Sequence, residues 1–313
     1  MKSVSSLSNF YYKNLFPSLQ ALEKKREHLK HRIIFVGVIF TTAALFIASI
    51  LKEYYDIILF AYIALGALIY KFLIYDYTHE FKQSIIKPLI HAIDDTLEYS
   101  SRLHVNRYLF ERSELFLKPD KLNGNDYVKG SIDRVNIEFS DIHAQRKNKD
   151  SKGKESLSTI FQGLFIAADF NKHFEGKTIV LPDSAQNIFG NIIGHWLQSN
   201  NAAREELVKM DDTEFEKEFV VYSTNQIEAR YILSHSLMKK LLSFKQKSKH
   251  PVYISFIGTN IYLAIEYDRD LFEPSIFRSL LDYKIAMDYV QTLHLATGIV
   301  EELKLNQKLW SKR

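Results

Sequence analysis

Two apolar runs separated by five residues constrain this chain more than any other feature. Residues 33–51 (IIFVGVIFTTAALFIASIL) carry no charge, and residues 57–75 (IILFAYIALGALIYKFLIY) carry only Lys71. At about 1.5 Å per residue, each run is long enough as a helix to cross roughly 30 Å of hydrocarbon. A helix that is apolar on every face has no side to offer water, so both runs read as membrane spans rather than core helices. Lys71 lies near the end of its run, where its stem can carry the ammonium to the interface. Tyr54, Tyr55, Tyr70 and Tyr75 fall where an aromatic belt belongs.

The connection KEYYD (52–56) is too short for anything but an antiparallel pair, which puts both ends of the hairpin on one side. Residues 1–32 carry seven basic side chains against Glu23 and Glu27, so the positive-inside rule assigns that side to the cytoplasm. The basic residues expected at the membrane interface are Lys24, Lys25, Arg26, Lys30, Arg32, Lys52 and Lys71. Around them, SLQALEKKREHLKHR (18–32) reads as a helix capped by Ser18 and running into the first span. Leu19, Leu22 and Leu29 share one of its faces, and Arg26 interrupts that stripe. The apolar run is too long and starts too late for a cleaved signal peptide.

Composition adds exclusions. None of the 313 residues is cysteine, which removes disulfides, thiolate metal sites and a cysteine nucleophile. The net charge of +4 invites a nucleic-acid reading, but its distribution removes it. Residues 1–75 hold nine basic and four acidic side chains, whereas residues 76–313 hold 32 and 33. The excess is a topology signal. A mean hydropathy of -0.16 averages two spans with a polar remainder.

Residues 76–117 show helical spacing in Ile85, Ile86, Leu89, Ile93 and Leu97, with Pro88 as a kink, and Asn123-Gly124 reads as a turn. From about 127 the period becomes two: Val135, Ile137 and Phe139 alternate with Arg134, Asn136 and Glu138. Residues 145–156 (QRKNKDSKGKES) hold five basic side chains and no apolar one, and read as a solvated hairpin tip rather than a phosphate or headgroup site. Strands are expected at 161–170 and 177–183, an Asn-rich excursion at 184–205, and a strand pair at 206–210 and 215–223. A single helix is expected at 226–244, a hairpin at 251–267 and a long amphipathic helix at 275–309. The expected architecture is α+β: a basic N-terminal helix (1–32), a transmembrane hairpin (33–75), a helical stalk or connector (76–125), and a cytoplasmic domain of antiparallel strands with flanking long helices (126–313).

Catalytic signatures are sparse. The sequence has no G-x-S-x-G elbow, P-loop or dinucleotide fingerprint. His91, Asp94 and Asp95 have helix-face spacing but lack the further ligands a metal needs. Asp169, with Asn171, Lys172 and His173 after it, follows a strand, and Arg230 lies amid apolar residues, where its planar fork suits a phosphate or carboxylate. Asp169, His173 and Arg230 form the candidate polar site. A structural role for Arg230, pairing with Asp169 or Glu218, is the simpler expectation. Most aromatic side chains fall at alternating strand positions, on helix faces or in the spans, and read as core and interface rather than as a single-strand binding surface.

Several segments together resemble a known family: YLFERSELF (108–116), DYVKGSIDRVNIEFSDIHA (126–144), FQGLFIAADFNKHFEGKTIVLPD (161–183), EFEKEFVVYSTNQIEARYILSHSLMKKL (214–241) and IVEELKLNQKLW (299–310). The chain resembles the bacterial membrane proteins grouped as domain of unknown function 3137. Asn225 stands where that pattern has Asp, and His235 where it has Pro. The resemblance implies a layout and a bacterial inner-membrane location, and no activity. The expectation is therefore a non-enzymatic interaction or scaffold module. Its partners would be the lipid bilayer and another membrane or cytoplasmic protein, with a homo-oligomer possible and neither nucleic acid nor cofactor. The alternatives are an enzyme of unrecognised type acting on a membrane-associated substrate, or a lipid-binding module.

Overall fold

The computed structural model describes residues 4–132, 135–149, 153–169, 173–183 and 206–304. The expected excursion at 184–205 lies outside the described residues, as do Asn171 and Lys172. The chain divides into two compact units.

The hairpin unit comprises residues 4–92 and 272–290. Helix α1 (Val4–Asn14) leads into α2 (Phe16–Ile50), and α3 (Tyr55–Phe81) returns antiparallel to it. Pro17 occupies the first turn of α2, where its missing N–H is harmless, so the helix starts two residues before the expected cap Ser18. No residue in the apolar windows of α2 and α3 is fully buried, and Phe60 and Phe72 are 77% and 79% exposed. A hairpin inside a soluble core would hide these rings. Few groups hold the two helices together within the windows: Thr41 and Tyr62 share a hydrogen bond of 2.9 Å, and Phe40 stacks on Tyr62 at 5.1 Å. Outside the windows, Lys25 pairs with Glu80 at 2.6 Å. By this register Lys71 lies level with residues 32–34, the edge of the first apolar run, where an interfacial lysine should be.

Beyond the windows the same helices form a packed bundle. Leu7, Tyr11, Leu19, Leu22, Phe81, Ile85 and Leu89 are buried with Phe272, Ile276 and Leu280 from far along the chain. Pro88 cannot donate to Ser84, and the helix accommodates it with a π-turn at Lys82–Ile86, closed by the Lys87 N–H on the Lys82 carbonyl. Helix α4 (Lys87–Ile93) follows, and there the helical run ends. The expectation of helix through 117 fails because Asp94 accepts from both the N–H and the hydroxyl of Thr96 and turns the chain into a strand.

The sheet unit comprises residues 93–271 and the described chain from 291. It is a nine-stranded antiparallel sheet in the order β1-β2-β3-β4-β9-β8-β5-β7-β6. Its strands are β1 (Glu98–Ser100), β2 (Lys121–Ile132), β3 (Val135–Lys149), β4 (Glu155–Asp169), β5 (Thr178–Pro182), β6 (Glu206–Leu207), β7 (Phe219–Ser223), β8 (Val252–Ile257) and β9 (Asn260–Glu266). Val135, Ile137 and Phe139 are buried, as their alternation predicts. The sheet starts well upstream of the change in period. Asn123-Gly124 lies inside β2, where a side chain on Gly124 would meet the Asp141 carbonyl at 2.2 Å, so this glycine serves close approach rather than a turn.

Between the strands lie helices α5 (Arg107–Arg112), α6 (Thr213–Glu218), α7 (Gln226–Ile232) and α8 (His235–Ser248), with α9 (Tyr283–Lys304) at the end. Three expectations are corrected here. Residues 213–218 are helical, because Asp212 caps the N–H groups of Glu214 and Phe215. The expected single helix at 226–244 breaks at Leu233-Ser234, where Ser234 caps α8. The final helix starts at Tyr283 rather than 275, since Ser275 and Ser279 accept from backbone N–H groups two or three residues on and hold turns. In the sheet unit one aromatic cluster lies in the core: Phe110, Phe116, Phe161 and Phe165 pack with ring centroids 4.6–6.2 Å apart.

Candidate functional site

In the hairpin unit, charges are concentrated where apolar packing would be expected. Arg26 sits on the Leu19/Leu22 face of α2, and only 5% of it is exposed. Its guanidinium holds Glu23 in a fork, Nε to Oε2 at 2.9 Å and Nη2 to Oε1 at 2.8 Å, while Nη1 donates to the Ile276 carbonyl at 2.6 Å. Glu23 also accepts from the Leu280 N–H at 2.9 Å. Burial pushes the Glu23 carboxyl up, but the hydrogen bonds from Arg26, Leu280 and Ser279 outweigh it and hold the group below the usual carboxylate value. Directly after α3, Lys82 projects from the π-turn into the bundle and pairs with Glu273 at 2.6 Å. The two pairs clamp segment 272–282 onto the helices that continue into the apolar windows. Arg26 is thus not a headgroup contact: the periodicity that put it among leucines outweighed its charge, because Glu23 one turn earlier neutralises it. Lys24, Arg32, Lys52 and Lys71 remain exposed, Lys30 is half-buried and Lys25 pairs with Glu80.

In the sheet unit, Asp169 ends β4 half-buried, His173 is exposed beside the β8–β9 turn, and Arg230 is exposed on α7. Among the described residues no hydrogen bond or ion pair joins any two of them. Glu218, an expected partner of Arg230, pairs instead with Lys245. The groups that share a neighbourhood with Asp169 are ones the sequence did not single out. Tyr262 is fully buried, and its phenol is pushed up to about 12, first by burial and then by Tyr108 and, least, Asp169, against the opposing pull of Arg112 and Asn260. Arg112 lies against the backbone of Gly258 and 6.0 Å from the Tyr108 ring. The i, i+4 spacing of Tyr108 and Arg112 was a usable signal on that short helix. The Phe174 N–H donates to the Gly258 carbonyl, which brings His173 to the same turn.

Other polar groups have structural work. Both Glu228 carboxylate oxygens accept backbone N–H groups, from Glu175 at 2.9 Å and Gly176 at 2.6 Å. Glu216 accepts from the Met210 N–H. Asp94 is engaged in its turn, and among the described residues no three His, Asp or Glu side chains are placed to hold a metal. The two departures from the family pattern fall on helix starts. Asn225 caps α7 by accepting from the Glu228 N–H at 3.1 Å, a bond that a carboxylate or a carboxamide makes equally well. His235 is the first residue of α8, a position that suits proline without requiring it.

No curated protein matches the chain. Among solved structures, it is similar to the crystal structure of the mycobacterial trehalose monomycolate transport factor A, TtfA. That likeness has 10% identity and a TM-score of 0.34, and covers 64% of this chain and 87% of that one. Residues 159–305 match the family described as protein of unknown function DUF3137, and it is this family that the chain resembles.

Proposed function

We propose that the chain is a non-enzymatic interaction or scaffold module anchored in the bacterial inner membrane, with both termini in the cytoplasm. The hairpin carries this reading: two antiparallel helices long and apolar enough to cross a bilayer, with exposed Phe, Leu and Ile on every face. Lipid accepts such a surface and water does not. The flank of seven basic and two acidic residues supports the cytoplasmic assignment. The use of Asp212, Glu216, Asn225 and Glu228 in caps and backbone hydrogen bonds supports a non-enzymatic role. The partners are the bilayer and a membrane or cytoplasmic protein, which includes a second copy of the chain.

Two measurements test this. A C-terminal fluorescent fusion should be bright and an alkaline phosphatase fusion inactive; the reverse pattern overturns the topology. Affinity capture of the intact protein from membranes, against a control with a scrambled surface, should enrich a protein or lipid. No enrichment removes the interaction reading.

A further inference from the structure

Strands β3 and β4 outrun the sheet that holds them. Pairing with β2 ends at Gln145, and pairing with β9 starts only at Gly163. Between these limits the two strands form ladder pairs only with each other, through Arg146–Ser158, Lys147–Leu157, Asn148–Ser156 and Lys149–Glu155, and one side-chain bond, the Lys147 N–H on the Asp120 carboxylate at 2.8 Å, ties down the base of the extension. What reads in the sequence as a solvated tip is therefore a regular two-stranded ribbon. Residues 146–149 and 155–157 are all exposed, so packing does not explain the composition of either face.

Residues directly opposite in an antiparallel ladder share a face. One face accordingly carries Lys147, Lys149, Leu157 and Glu155. Leu157 is 48% exposed beside its cross-strand partner Lys147. Glu155 lies 3.6 Å from Lys147 and 3.3 Å from Lys149, pairs too exposed to neutralise both ammonium groups. With Arg146 and Lys154 the described ribbon carries +3, while the rest of the chain beyond residue 75 carries -4. A basic island on an acidic domain, with an apolar side chain among its lysines, has the chemistry of a surface that meets anionic headgroups.

We propose that the β3–β4 ribbon docks on the anionic headgroups of the membrane crossed by the hairpin, with Lys147 and Lys149 on phosphates and Leu157 between them. This rests on the anchored reading above. The hairpin tethers the ribbon to one membrane through the chain itself, so docking is an intramolecular event. Lipid is favoured over nucleic acid because the ribbon's described residues include no aromatic side chain on which a base could stack.

The absence of cysteine makes the test direct. The full chain with Leu157→Cys, labelled with an environment-sensitive fluorophore, is reconstituted into phosphatidylcholine vesicles with and without about a third phosphatidylglycerol. Vesicle flotation reads anchoring separately, so a chain that fails to float refutes the anchored reading and not the ribbon. In floated samples the signal should shift to an apolar environment only with phosphatidylglycerol, and return in high salt. Lys147→Gln with Lys149→Gln should lower the docked-to-undocked ratio about thirtyfold, at roughly a tenfold change per 1.4 kcal/mol. Equal signals in both lipids, insensitivity to the double substitution, or a response to duplex DNA or RNA in place of phosphatidylglycerol overturns the proposal.

Discussion

Replacing Arg26 by methionine tests what holds segment 272–282 to the hairpin unit. Methionine keeps much of the stem packing and removes the charge. Glu23, with a side chain 14% exposed, then loses its fork but keeps the Leu280 N–H, and the Ile276 carbonyl loses its donor. Breaking a buried pair from one side costs about 3–5 kcal/mol, and the surviving bond places this case near 3. The equilibrium between closed and locally opened segment should then shift by about two orders of magnitude. Hydrogen exchange of the reconstituted chain reads this at the Asp282 amide, whose acceptor, the Ser279 carbonyl, is unchanged in every variant, and the sheet strands serve as internal reference. The double variant Glu23→Leu, Arg26→Met buries no charge; it orphans the Leu280 N–H and the Ile276 carbonyl and frees the half-buried Ser279 hydroxyl to turn to water, for about 2 kcal/mol. It should therefore open less than the single variant. Single-variant protection within threefold of the parent, or a double variant worse than the single, would refute the claim that the buried charges hold the segment.

Four further perturbations have expected outcomes. Because the Glu23 carboxyl is held below its unfolded value, its contribution is fully present above about pH 4.3 and is lost as pH falls through the depressed value. In Arg26→Met the largest lowering cause is gone while the Leu280 and Ser279 bonds remain, so the stability lost on acidification should be smaller than in the parent; exchange measured across pH 3–7 reads the difference. Gly163 has φ +145°, and an added Cβ would lie 2.1 Å from the Ile265 carbonyl, so Gly163→Ala should cost at least about 3 kcal/mol and lower the melting temperature of the sheet unit. Asn225→Ala should cost about 1 kcal/mol and Asn225→Asp almost nothing. His235→Pro should be neutral or add up to about 1 kcal/mol, since Ser234 already has the extended backbone (φ -57°, ψ 156°) that precedes proline. Denaturant unfolding checks all three, and a destabilised proline variant would contradict the helix-start assignment.

The hairpin was legible in the sequence because a span must satisfy its backbone within itself and show apolar side chains all round, requirements written into consecutive residues. Strand alternation around Val135 and the β8–β9 hairpin were legible for the same local reason. Helix starts at Thr213 and His235 were signalled by Asp212 and Ser234 but hidden inside longer apolar patterns. Arg26 marks the boundary most clearly. Periodicity placed it on a leucine face and charge placed it at headgroups. Its buried position follows from Ile276 and Leu280, some 250 residues away, which no local pattern reports. The grouping of Asp169 with Arg112 and Tyr262, and the outrun of β3–β4 beyond their neighbours, likewise depend on strand order. Sequence by itself determined the anchor and the periodicity of the elements, since both are properties of neighbouring residues. Tertiary structure alone decided which charges are buried and which strand ends stand free, because those depend on distant segments meeting.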